Sequence, residues 1–225
     1  MTGQARDQHA PAPQLAGTGR LADDLYLMAH HEATGRPLLQ PRAAGLGLAG
    51  ALLAELTLAG AIDISGGQVA AAGPAPPEDG LARGVLGQVH GEHQPHPARD
   101  WLAFLARTAP ADVARRLEQS GYLTRASARW PWRGERWVPA DPDCAFAPVA
   151  RVKSALDPSR PGTAQGAALA GLAAACGLGA RLALWLPPGS RRRLDAVTGQ
   201  LDPGLREVIA QTRAAVDGAV LSHRV

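Results

Sequence analysis

The chain has 225 residues, 46% of them hydrophobic and only 4% aromatic, with a formal net charge of +3. That is enough chain and apolar content for a folded core of one large domain, filled by Ala, Leu and Val, and it excludes a wholly disordered protein. The modest positive charge permits contact with anionic surfaces and gives no reason to expect a nucleic-acid partner. Nearly all the basic residues are arginine, with Lys153 the single lysine. With abundant Ala, Gly and Pro, this resembles the codon bias of a GC-rich genome, and a bacterial source is expected.

Residues 1–19 are polar and carry Pro and Gly, and are expected to be a disordered lead-in to one domain over 20–225. They contain no apolar signal core, so a cytoplasmic protein is expected. The two cysteines, Cys144 and Cys176, sit among apolar residues and are expected to be buried thiols.

A first helix is predicted from Leu21, with Leu25 and Met28 at helical spacing, Asp23 and Asp24 in its first turn, and Gly35 as the stop. Residues 37–45 are expected to be a loop. Gly47 to Gly60 comes next as a helix that is apolar on nearly every side except at Glu55, which marks it as buried. A carboxylate there needs partners or a shifted pKa, and a structural hydrogen bond or ion pair is the expected role. Residues 61–73 alternate as strand–turn–strand around Ser65, Gly66 and Gly67.

Beyond a loop, residues 81–93 make a weak, glycine-interrupted helix, and His90 to Pro97 a connector. A helix is predicted from Asp100 and another from Pro110, which Gly121 ends. Residues 128–139 are predicted to be a β-hairpin. Ala147 to Leu156 is a short helix. Gly162 to Leu186 is the most apolar run, with small residues at Gly166, Ala170, Ala174 and Gly177, and is predicted to be one long buried helix. Gln165 and Arg181 interrupt it, and it lacks the bulk of a membrane span. Leu205 to Ser222 is a final amphipathic helix. The fold class is therefore mainly α: a helical bundle around a buried central helix, with a projecting β-hairpin and short strands.

Several motifs could carry chemistry. Gly45, Gly47 and Gly50 spell G-x-G-x-x-G ahead of a helix, but the preceding segment has two prolines and an arginine where a buried strand is required, so tight helix packing is preferred to nucleotide binding. His90, Glu92, His93 and His96 resemble a metal-binding spacing, but a solvated loop is preferred and no metal or other cofactor is expected. No nucleophile–base–orienter set can be assembled, so no catalysis is expected. The hairpin is the most unusual segment: Arg129, Trp130, Trp132, Arg133, Arg136 and Trp137 place three of five tryptophans among arginines. Membrane contact, self-association and core packing all fit that composition.

The order of these elements carries a resemblance. Residues 21–37 resemble the opening segment of the Golgi phosphoprotein 3 family. Residues 47–65, with Leu53-Ala54-Glu55-Leu56-Thr57-Leu58 followed by Gly60 and Ile62, resemble its small-residue helix and short strand. Residues 113–123, 166–178 and 201–216 are similar to its helix before the hairpin, its buried central helix and its C-terminal helix. The resemblance implies a helical bundle with a hairpin that binds phosphatidylinositol 4-phosphate at a membrane and holds a protein client there.

It also implies a headgroup site made of a Trp before the small-residue helix, an Arg at its start and two basic residues before the hairpin. Here Gln40, Ala49, Arg107 and Pro110 occupy those places, with Arg107 the one basic match and Arg42 a replacement charge. The candidate lipid-headgroup residues are therefore Arg42 and Arg107. Leu38, Leu39, Trp130, Trp132, Arg133, Arg136 and Trp137 are candidates for membrane or oligomer contact. Expected partners are an anionic membrane lipid, met peripherally on the inner face, and a protein client or a second copy through the hairpin. The alternative function is a self-associating interaction module without lipid binding.

Overall fold

The computed structural model describes residues 18–73, 77–126, 136–185 and 189–221. Helix α1 (Leu21–Met28) is followed by the long α2 (Pro41–Leu58), then a hairpin of β1 (Ile62–Ser65) and β2 (Gln68–Ala71). Next come α3 (Gly80–Gly91), the two-residue β3 (His96–Pro97), α4 (Ala98–Leu105) and α5 (Ala109–Gln119). Strands β4 (Leu123–Ala126) and β5 (Arg136–Pro139) precede α6 (Pro142–Leu156), α7 (Ala164–Ala175), α8 (Gly179–Trp185), α9 (Ser190–Gly199) and α10 (Pro203–Leu221). The fold is mainly α with small antiparallel strand pairs.

The core is built by α2 and α7 together. Helix α2 packs against α1, α3, α4, α5, α7 and α10, and α7 against α1, α2, α6, α9 and α10. Both are Ala- and Gly-rich, so neighbouring helices approach closely. A Cβ on Gly45 would lie 2.6 Å from the Ala106 carbonyl oxygen, and one on Gly47 or Gly50 would overlap Cys176 Sγ or Thr212 Oγ1. The G-x-G-x-x-G pattern is thus a packing device, with each glycine facing a different neighbour. Both cysteines are free and buried.

Several boundaries differ from the sequence-based expectation. Helix α1 ends at Met28, and Gly35 lies later, in the turn that leads to α2. Helix α2 begins at Pro41 instead of Gly47, because proline at the first helical position needs no N–H and already has helical φ. Residues 80–91 form a full helix despite four glycines, since the Asp79 carboxylate caps it by accepting from the Ala82 N–H at 2.8 Å. His96 and Pro97 add a third strand, with Val69 opposite His96. The run from Gly162 to Leu186 is not one helix. It breaks at Gly177, where φ is +94°, into α7 and α8, and Leu186 lies outside the described residues. Gly166 and Ala170 are buried as expected, whereas Ala174 is half-buried and Gly177 exposed.

The second hairpin pairs Leu123 with Pro139 and Arg125 with Trp137. Its strands flank the segment 127–135, so Arg129, Trp130, Trp132 and Arg133 lie outside the described residues. Its base sits on the α1–α2 connector. Gly35, at φ +61°, lies so close to the Trp137 carbonyl that a Cβ would overlap it.

Candidate functional site

Two constellations of charge stand out: a buried network under a cleft, and an exposed basic end. The network centres on Arg116 of α5, whose side chain is 7% exposed. Its Nε donates to Asp23 Oδ1 at 2.7 Å, its Nη1 to Asp79 Oδ2 at 2.8 Å, and Nη1 and Nη2 to the Glu55 carboxylate at 3.3 Å. Glu55 Oε1 also accepts from the Ala22 N–H at 2.8 Å, so a residue of α2 caps the first turn of α1, where Arg20 offers no side-chain cap. Arg116 therefore ties together the starts of α1 and α3 and the last turn of α2. Beside it, Arg151 of α6 pairs with buried Asp24, which also accepts from Thr18 Oγ1 at 3.2 Å.

Burial dominates the electrostatics. It pushes Asp23 up to about 7 and Asp24 up to about 6, against the pull of Arg116 and Arg151, and it also raises Glu55. Burial works the same way on the more exposed Asp79, but the Ala82 N–H and Arg116 outweigh it and hold that carboxyl below its ordinary value. A cleft of about 510 Å3 opens beside the network, lined by Arg20, Glu55, Asp79 and Gln165 among others. Glu55 and Asp79 are already committed to Arg116 and to helix N–H groups, so what faces the cleft is a structural clamp.

Arg116 is not singled out by the sequence, because one arginine on an amphipathic helix looks like any solvated charge. The only signal was its complement. Glu55 in an apolar helix and the Asp23–Asp24 pair at a helix start required cations from elsewhere. The expectation that Glu55 makes a structural ion pair is borne out. The histidine segment is simpler: His96 Nε2 lies 3.1 Å from Glu92 Oε2 on the surface, and among the described residues no group of three or more ligands could hold a metal ion.

The exposed end is formed by the α1–α2 connector and the α4–α5 junction. Gly45 against Ala106 sets the first turns of α2 beside that junction. Arg42, one turn before Gly45, and Arg107, next to Ala106, are both exposed at this end. Arg107 stacks over Phe104, with Cζ 5.4 Å from the ring centroid. Gln40 is the exposed N-cap of α2 and gives no side-chain cap. Leu38 and Leu39 are half-buried, and Leu39 packs on the core. Ala49 is fully buried, so its position offers no solvent-facing contact, and Pro110 is half-buried in the first turn of α5. On the hairpin base Arg136 is exposed, and Trp137 is half-buried against the core with the Arg125 guanidinium 5.8 Å from its ring.

The family model Golgi phosphoprotein 3 (GPP34) matches residues 21–215, a span that runs from α1 into α10 and takes in both strand pairs. The chain belongs to the Golgi phosphoprotein 3 family. The matched span includes Leu53–Leu58 of α2, where Glu55 serves the clamp. No curated protein matches the chain. Among the described residues no helix is long and apolar enough to cross a membrane.

Proposed function

We propose that this member of the Golgi phosphoprotein 3 family is a non-catalytic, peripheral membrane protein that binds anionic, phosphatidylinositol 4-phosphate-like headgroups and recruits a partner protein. One observation carries the reading: the close approach of Gly45 to Ala106 puts Arg42 and Arg107 at the same end of the molecule, both exposed and, among the described residues, without a carboxylate partner. Arg42 lies in the first turn of an 18-residue helix whose N-cap side chain leaves the end open. Free N–H groups and the helix dipole favour an anion there. Leu38 and Leu39, just before this turn, supply apolar contact at the level of the lipid headgroups. Each arginine near an anionic surface contributes about 1 kcal/mol, so the site needs both, with further contacts from elsewhere. The commitment of Glu55 and Asp79 to Arg116 supports a role without catalysis.

The test is co-sedimentation with neutral phosphatidylcholine vesicles and with vesicles that also contain phosphatidylserine or phosphatidylinositol 4-phosphate. Binding to the anionic vesicles is expected, strongest with the phosphoinositide. Arg42→Glu with Arg107→Glu should lower it about tenfold or more. Equal pelleting of wild type and double variant would refute the site, and absence of binding to every vesicle would refute the function.

A further inference from the structure

Residues 158–194 contain five arginines and no aspartate or glutamate, a local charge of +5 in a chain whose net charge is +3. Helix α7, which is buried, takes up the first part of this stretch, and the next helix lies at the surface. Helix α8 is anchored by Leu182, which is buried, while Leu184 is 82% exposed, the most exposed large apolar side chain among the described residues.

The position of α8 is fixed by Arg181, whose Nη2 lies 3.0 Å from Glu32 Oε2 in the α1–α2 connector. Arg181 also borders a shallow cavity with Met28 and with Phe146 of α6, which is 41% exposed. Leu184 follows Arg181 by three residues, so it stands on the same side of α8 one turn on. The connector that begins at this apolar point leads into α2, whose second residue is Arg42. Farther along the chain, Arg191 and Arg192 are exposed in the first turn of α9, and among the described residues neither has a carboxylate partner. Arg191 is seven positions beyond Leu184, so the two Cα atoms are at most about 25 Å apart.

We infer that Leu184 of α8 and Arg191 and Arg192 in the first turn of α9 form a second membrane-contact element, in which Leu184 enters the bilayer interface and the two arginines meet anionic lipid phosphates. The inference rests on the membrane-docking reading above and adds an apolar wedge outside the Arg42–Arg107 site. Charge complementarity selects the occupant. A solvent-facing leucine followed by unpaired arginines, with no acidic residue over the whole stretch, matches an apolar boundary layer under negative phosphates. A second copy of the chain would present the same arginines and repel them.

The experiment uses the full chain, with phosphatidylcholine vesicles and vesicles that also contain phosphatidylserine. Leu184→Ser should melt like the wild type and bind the anionic vesicles several-fold more weakly. Arg191→Glu with Arg192→Glu should weaken binding about tenfold and reduce its dependence on salt. An environment-sensitive dye on Leu184→Cys, in a Cys144→Ala, Cys176→Ala background, should brighten and shift to the blue on these vesicles, while the same dye on Ser65→Cys should not. If the wild type binds but Leu184→Ser binds equally well and the dye does not respond, the inference is overturned and the headgroup site stands. If Arg42 and Arg107 variants bind normally while the Leu184 and Arg191 variants do not, the headgroup site falls and the inference stands. Failure of the wild type to bind any vesicle overturns both. A concentration-dependent dimer lost in Leu184→Ser, with vesicle binding unaltered, assigns Leu184 to contact with a second copy and also overturns it.

Discussion

Arg116 donates its Nε–H to Asp23 at 2.7 Å, joining residues 93 positions apart inside the protein. The same guanidinium reaches Glu55 and Asp79, so one side chain pairs with carboxylates at three helix ends. Removing it would strand buried carboxylates. Arg116→Leu should lower the unfolding free energy by about 3–5 kcal/mol, because the cost of an uncompensated buried charge exceeds what the pair itself contributes. Urea unfolding followed by circular dichroism measures this, and a loss under about 1 kcal/mol would show that the carboxylates simply take up protons.

The network should also leave a pH signature. Asp23, Glu55 and Asp79 face Arg116 and the more distant Arg20, which lies 3.9 Å from Asp23 and 3.7 Å from Asp79. With every group ionised there is one negative charge in excess, and Asp23 Oδ2 is buried without a hydrogen-bond partner, which makes it the natural place for a proton. Burial raises Asp23 from 3.8 to about 7, so the folded protein binds more protons than the unfolded chain between those values. Stability should therefore fall as pH rises through that window. Asp24, raised to about 6, acts in the same direction. His30, which burial holds below its ordinary 6.5, acts oppositely, and Asp79, held low, costs stability as pH falls through its folded value. The urea midpoint should rise from about pH 8 to about pH 5 and drop again in stronger acid, and Asp23→Asn should flatten the upper limb. An unchanged slope in that variant would place the proton elsewhere.

Gly45 and Gly84 make a matched pair of helix glycines. The first abuts the Ala106 carbonyl, which cannot rotate aside, while the second has nothing within 4 Å of a Cβ. Gly45→Ala should destabilise by about 1–3 kcal/mol through overpacking. Gly84→Ala should stabilise by about 0.5–1 kcal/mol through helix propensity alone. Thermal melts of the two variants should move in opposite directions, and a shared direction would contradict the packing described for α2.

Gly35 locks the hairpin base to the α1–α2 connector. Its φ of +61° disfavours any side chain, and its contact with the Trp137 carbonyl leaves no room for one. Gly35→Ala should cost at least about 1 kcal/mol. It should also speed amide exchange in Trp137 and Val138 without affecting Ile62 to Ala71 of the other hairpin. Uniform acceleration in both would mean that the loss is global.

The helical class, the buried α2 with its misplaced carboxylate, the first strand pair and the family are all legible in the amino-acid sequence, because they rest on local periodicity and on element order. Arg42 and Arg107 are candidates on the same ground, but only the close approach of α2 to the α4–α5 junction puts them at one end. That Arg116 is the partner of Glu55 and of Asp23 at the start of α1 emerges from packing alone. An arginine of α5 can be paired with them only once α1, α2, α3 and α5 are assembled, and no local pattern encodes a contact between residues so far apart. The division of the apolar run after Gly162 at Gly177 is likewise a tertiary outcome. Both halves are apolar, so hydrophobicity could not separate them. The positive φ of one glycine turns the chain, leaving α7 enclosed by its neighbours and Leu184 of α8 facing water.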